Sequence, residues 1–198
     1  MTLETLTALA VFAFVAAATP GPNNLMLMAS GANFGFRRTL PHMLGVGIGF
    51  VAMIVLVGVG LVGMFQRYPE AQTALKIISV AYLLFLAWKI ATAAPPDERG
   101  EAGSPISFLQ AAAFQWVNPK AWTMVLSAVV AYAPSQSFAA VVMVAGVFAV
   151  VTFPSVTVWT VMGQELRRFL TDHRRLRAFN IFMAAILVAS LYPVVFPG

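Results

Sequence analysis

Two short stretches gather the polar and helix-breaking residues that could do chemistry in an otherwise apolar chain. They are Thr19-Pro20-Gly21-Pro22-Asn23-Asn24 and Gln115-Trp116-Val117-Asn118-Pro119-Lys120. The first lies in a run that carries no charge between Glu4 and Arg37. Each proline removes a backbone donor and crowds the preceding turn, so a regular helix cannot continue through either stretch. At membrane depth the freed backbone groups must find partners in protein or in a wet cavity. Opened helix turns present amides that attract a carboxylate and carbonyls that attract an ammonium or a cation. Asn23, Asn24, Gln115 and Asn118 add neutral donors and acceptors. The candidate substrate-binding set is therefore Pro20, Gly21, Pro22, Asn23, Asn24, Gln115, Asn118, Pro119 and Lys120. Lys120 is the one basic residue well inside a span, and an ionisable group at that depth points to function. It either meets a substrate carboxylate, snorkels to the interface, or pairs with carbonyls freed at the other break. Trp116 and Trp122 either wall a cavity or pack against lipid.

The two breaks sit at matching positions, with Pro119 standing 99 residues after Pro20 in a chain of 198. Interrupted apolar segments at corresponding positions of two halves mark the binding site of a repeat-built transporter. Six spans are expected to carry them, at about 5–32, 41–64, 72–91, 107–132, 138–162 and 178–196. The first and fourth spans are broken at Thr19–Asn24 and around Asn118-Pro119. Arg37 and Arg38 are expected in a loop after the first span. Lys76 and Lys89, near the ends of the third, are expected to snorkel with their stems in lipid. Gly45 and Gly49 have the small-xxx-small spacing that brings helices close. Pro154 should kink the fifth span, with Thr152 and Ser155 at hand to satisfy the groups it frees. The fold class is an all-α membrane protein, six transmembrane helices in an inverted 3+3 repeat. The single membrane domain, 1–198, divides into repeats at 1–93 and 106–198. They are joined by a Pro-, Gly- and charge-rich cytoplasmic linker at 94–105.

Composition supports the membrane class. Apolar residues make up 60% and charged residues 10%, far from soluble usage. The net charge of +5 would invite a nucleic-acid partner in a soluble protein. Here the basic residues gather in short loops, which sets orientation instead. Nine Lys and Arg (Arg37, Arg38, Lys89, Arg99, Arg167, Arg168, Arg174, Arg175, Arg177) fall on one side, and Arg67 and Lys76 on the other. The positive-inside rule then puts both termini outside and the basic loops in the cytoplasm. The start of the chain has no positive region, so a secretory signal is not expected.

The absence of cysteine excludes disulfides, thiol catalysis and cysteine-ligated metals. His42 and His173 are far apart, so no metal site and no cofactor are expected. No nucleophile–base–acid set lies at membrane depth, and an enzyme is not expected. None of the seven acids lies deep in a span. Lys120 and Glu165, the latter at the cytoplasmic end of the fifth span, are the candidate proton-coupling groups. A site with a lysine and no acid suits an amino acid with a neutral side chain better than a basic one.

The chain resembles the LysE/RhtB family of bacterial amino-acid exporters. The likeness rests on Thr19-Pro20-Gly21-Pro22-Asn23-Asn24 with Asn33-Phe34-Gly35-Phe36-Arg37, and on Phe114-Gln115-Trp116-Val117-Asn118-Pro119-Lys120-Ala121-Trp122. Ala87-Trp88-Lys89-Ile90-Ala91-Thr92 and Pro105-Ile106-Ser107-Phe108 are similar to the cysteine/O-acetylserine exporter branch. The resemblance implies a multi-pass inner-membrane protein that exports amino acids or close derivatives, driven by the proton gradient.

The expected function is secondary transport by alternating access: export of small neutral amino acids or derivatives by proton antiport. The alternative is a passive channel or facilitator for small polar metabolites. The expected partners are the amino acid, protons and membrane lipid, with no nucleic acid. Small-residue faces permit a homodimer.

Overall fold

A computed structural model of the chain describes residues 2–61, 69–93, 104–133 and 137–192. Seven α-helices account for most of them, and no strand occurs among the described residues. They are α1 (Leu3–Ala18), α2 (Pro22–Leu56, extended by a π-helical Val57–Leu61), α3 (Pro69–Ala91), α4 (Phe108–Val117), α5 (Pro119–Tyr132), α6 (Phe138–Leu166) and α7 (His173–Ala189). Among the described residues three segments are long and apolar enough to cross a membrane: Pro22–Gly60, Thr73–Ala91 and Phe138–Leu166. The expected 94–105 linker lies mostly outside the described residues, as do the ends of the second and sixth expected spans.

The helix boundaries follow from local chemistry. Pro22 and Pro119 each open a helix, where a missing N–H costs nothing and the fixed φ suits the first turn. Ser107 and Gln110 form a capping box at α4. Asp172 caps α7 through the Arg174 amide at 2.9 Å.

α2 departs from expectation. Arg37 and Arg38 are not in a loop, because helical hydrogen bonding carries through them. The corner is one residue, Gly35, at φ 76° and ψ 172°. Only glycine adopts that backbone readily, so one residue turns the chain where a loop was expected. The Phe36 amide, first after the corner, donates to Gln164 Oε1 at 2.8 Å. Along α1 and the first arm of α2, Phe12 meets Phe148, Ala17 meets Ser155 and Met28 meets Gly163. After Gly35 the order reverses. Phe36 meets Gln164, Gly47 meets Phe153, Phe50 meets Phe148 and Gly58 meets Val141. α6 therefore lies between a parallel and an antiparallel neighbour. Gly35→Ala should cost about 1–3 kcal/mol through backbone strain alone, since the new methyl would meet only ordinary contacts. A thermal-unfolding midpoint in detergent equal to that of the parent would contradict this.

Small residues set the packing. Gly45 and Gly49 face Phe108 and Ala112 of α4, as their spacing predicts. α4 thus runs beside the second arm of α2 in the same direction. Gly31 lies against the Thr160 carbonyl and Gly163 against the Met28 carbonyl, backbone on backbone. The buried apolar residues form two clusters. One joins Met26, Met43, Leu86, Phe114 and Met183. The other joins Leu9, Phe50, Met53, Val125 and Phe148. Large apolar side chains such as Ile77, Leu84, Trp88, Val150 and Phe182 remain on the outside, as a lipid-facing surface requires.

A polar lock stands beside the Gly35 corner. Asn33 and Asn180, both buried, exchange amide hydrogen bonds of 2.7 and 2.9 Å. Asn33 also donates to Ala29 O and Asn180 to Ala93 O. Asn180→Leu should cost about 2 kcal/mol, because Asn33 is then left buried with its carbonyl unpaired. Unchanged thermal stability in detergent would count against that role. Lys89 departs from simple snorkelling, because its ammonium donates to Pro105 O and Gln110 Oε1, both at 3.1 Å. Chain leaving α3 and chain entering α4 are thereby pinned together. Lys76 is exposed, as expected.

Candidate functional site

The two breaks meet. Asn23 Nδ2 donates to Gln115 Oε1 at 2.8 Å, and Gln115 Nε2 returns a bond to Asn23 Oδ1 at 3.1 Å. Residues 92 positions apart are joined by a reciprocal amide pair. Gln115 is fully buried and also donates to Ala111 O. The cross-break pair is thus anchored on the helix that carries it.

The end of α1 frees several carbonyls, and Ala17, Thr19 and Pro20 find side-chain partners for theirs. Asn24 Nδ2 donates to Ala17 O and Thr19 O, both at 2.9 Å. Ser155 Oγ reaches Ala17 O from α6 at 2.8 Å. Lys120 Nζ donates to Thr19 O at 2.7 Å and Thr19 Oγ1 at 3.0 Å, with Pro20 O at 3.4 Å. Of the three readings open for Lys120, the structure shows the pairing with carbonyls of the opposite break. Its positive charge sits at the C-terminal end of α1, where the helix dipole favours a cation. At the second break Asn118 ends α4 and starts α5, its side chain accepting from the Lys120 amide at 3.1 Å. At the start of α2 the N-cap is Gly21, which supplies no side-chain bond, so that helix opens with uncapped amides.

These groups border a cavity of about 40 Å³. That is room for a few waters and too little to enclose an amino acid without movement. Five of the nine predicted residues line it: Gly21, Asn23, Asn24, Asn118 and Lys120. Pro20, Pro22, Gln115 and Pro119 stand behind it, shaping backbone or bracing side chains. The cavity lies where the two apolar clusters meet, since Val46 and Val156 belong to one and Phe50 and Ala121 to the other. No acid borders it. Glu165 sits at the end of α6, partly exposed and ion-paired with Arg168, and does not line the cavity. Trp116 and Trp122 pack edge to face on each other, with Trp122 Nε1 bonded to Trp116 O at 2.7 Å, and neither lines the cavity.

Sequence reasoning missed the α6 wall of the site. Thr152 and Ser155 were expected to repair the backbone around Pro154. Instead Ser155 serves α1, and the buried Thr152 hydroxyl has no partner. Pro154, a further proline inside a span and close to two hydroxyls, was the available signal. His42 is fully buried within α2 with neither ring nitrogen partnered. Among the described residues no group of three or more potential metal ligands converges.

A helical membrane protein built around facing helix breaks and a small cavity that they line with polar groups belongs to the class of membrane translocators. A family model described as LysE type translocator matches residues 14–190, and the chain belongs to that family. It is 32% identical over 192 residues to the cysteine/O-acetylserine efflux proteins of Escherichia coli (strain K12) and Shigella sonnei (strain Ss046). Those matches cover 95% of this chain and 96% of each relative. No solved structure matches.

Proposed function

We propose that the chain exports small amino acids with neutral side chains, cysteine and O-acetylserine among them, across the bacterial inner membrane by proton antiport with alternating access. The observation that carries this reading is Lys120. Its ammonium bridges to the carbonyls at the end of α1, beside the uncapped start of α2, on a cavity with no acid. A substrate carboxylate is favoured at the α2 N-terminus and at Lys120. The substrate ammonium is favoured at the Thr19 and Pro20 carbonyls that Lys120 then releases. A basic side chain would find no counter-charge there, and an acidic one would add a second anion beside a single lysine. The relatives' substrates fit that bound.

Lys120 is also the proposed proton carrier. In the ammonium form it ties one half to the other across 101 residues. Loss of the proton weakens that tie and lets the halves move. Glu165 lies away from the cavity, at the end of α6, where it could serve only as a relay. Two facts support an inverted repeat. The broken α1–α2 segment runs parallel to α6, and α4 runs parallel to the second arm of α2. Arg167 and Gln164 flank Gly35, so the basic corners of the two halves share one end of the bundle, which is the cytoplasmic end in this account.

The test is efflux from cells preloaded with labelled serine, cysteine, O-acetylserine, lysine or glutamate, with and without the protein. Selective loss of the first three, stopped by a protonophore, is expected. Efflux that persists down-gradient with the protonophore present would instead establish a passive facilitator.

A further inference from the structure

The α6 wall of the cavity carries a hydroxyl that the fold itself does not use. Thr152 is 6% exposed, lines the cavity, and its Oγ1 makes no hydrogen bond. The other polar side chains on the cavity each make at least one. Asn23 bonds Gln115, Asn24 bonds Ala17 and Thr19, Asn118 accepts from the Lys120 amide, Lys120 bonds Thr19, and Ser155 bonds Ala17. The contrast within α6 is sharper. Thr157 donates to Phe153 O at 2.8 Å and Thr160 to Val156 O at 2.7 Å, the usual solution for a threonine in a membrane helix. Thr152 does not adopt it. A valine would fill the same space without burying an unpaired hydroxyl, so the fold alone gives no reason for threonine here.

The position of that hydroxyl suggests its partner. The groups suited to an amino-acid head, Lys120 and the start of α2, come from the two breaks. Thr152 comes from a different helix, with Val46, Phe50, Met124 and Val156 as the apolar remainder of the wall. We infer that Thr152 is the specificity-determining residue, its hydroxyl hydrogen-bonding the polar atom of a short substrate side chain while the breaks hold the carboxylate and ammonium. The inference rests on the exporter reading above. The substrate class it names is amino acids with a hydroxyl, thiol or ester oxygen near the β-carbon, over apolar amino acids of equal size. A hydroxyl both donates and accepts, so it serves any of these.

The experiment is competition by serine, cysteine, O-acetylserine, alanine and 2-aminobutyrate for counterflow in proteoliposomes holding the full-length protein. The parent protein should prefer cysteine to 2-aminobutyrate, its near-isostere, by about tenfold or more, the worth of one hydrogen bond in a site built for it. Thr152→Val should lose that preference, with cysteine and 2-aminobutyrate competing equally. Thr152→Ser should keep it. Equal affinity of the parent for cysteine and 2-aminobutyrate would overturn the inference without recourse to any variant. So would a Thr152→Val protein that loses all substrates in the same proportion. If the parent carries no amino acid, the exporter reading itself fails and takes the inference with it. If it carries amino acids without discriminating side chains, the inference alone fails.

Discussion

Lys120→Ala is expected to reduce amino-acid export to background, at least a hundredfold, while the protein reaches the membrane in normal amount. The ammonium makes its bonds to Thr19 and Pro20 across the interface between the halves. Its loss removes the only charge on the cavity among the described residues and leaves Pro20 O to water, while Asn24 still serves Thr19 O. Water can reach a polar cavity, so the cost to folding is modest, whereas no other group can replace a cation for a carboxylate. Lys120→Arg separates the two roles. Arginine keeps the charge and does not give up its proton, so binding should survive and proton-coupled turnover should not. Export rate per unit of membrane protein, measured by quantitative immunoblot, is the readout. Normal export by the alanine variant would remove Lys120 from the mechanism.

Gly163→Val is expected to prevent accumulation of the folded protein. A Cβ at Gly163 would run into the Met28 carbonyl, and one at Gly31 into the Thr160 carbonyl. Backbone cannot yield as a side-chain tip can, so the arm before Gly35 must lift off α6. Overpacking of this kind costs about 3 kcal/mol or more, a large share of a marginal stability. Gly146 on the same helix is the control, because nothing lies within 4 Å of its added methyl. Gly146→Ala should leave accumulation unchanged or slightly raised. Fluorescence-detected size exclusion of detergent extracts distinguishes the cases. A monodisperse peak of parental height for Gly163→Val would contradict the packing described.

The helix breaks were legible because proline acts locally and, at both, stands beside a glycine or an asparagine; Pro41 and Pro154, without that company, lie inside continuous helices. Asn118 next to Pro119 and Gly21 next to Pro22 repeat one solution, with proline opening the new helix. The meeting of the breaks was legible from their matched positions, although the Asn23–Gln115 pairing was not. The Gly35 corner was hidden by Arg37 and Arg38. Two arginines read as loop, yet a helix can carry them if its end reaches the interface, and one glycine can turn the chain. Lys89 read as a snorkelling residue because its partners, Pro105 O and Gln110, lie across the connection between α3 and α4. Thr152 was hardest to see. A hydroxyl in an apolar helix defaults to a carbonyl one turn back, and only the three-dimensional arrangement shows that this one does not.

The size of the cavity also bears on mechanism. Apolar residues of both clusters line a space too small to enclose an amino acid. In the proposed alternating-access cycle one cluster and then the other would part. The Asn33–Asn180 lock and the Lys89 bridge stand at one end of the bundle and would have to yield when that end opens.

The most direct test of the central claim, that the facing breaks exchange an amino acid for a proton, uses proteoliposomes loaded with labelled O-acetylserine and a pH-sensitive dye. Acidifying the outside should accelerate release of the label and acidify the lumen in proportion. Both effects should vanish in Lys120→Ala. Release at a rate indifferent to the pH gradient, with no proton entering, would contradict the account and leave a passive pore in its place.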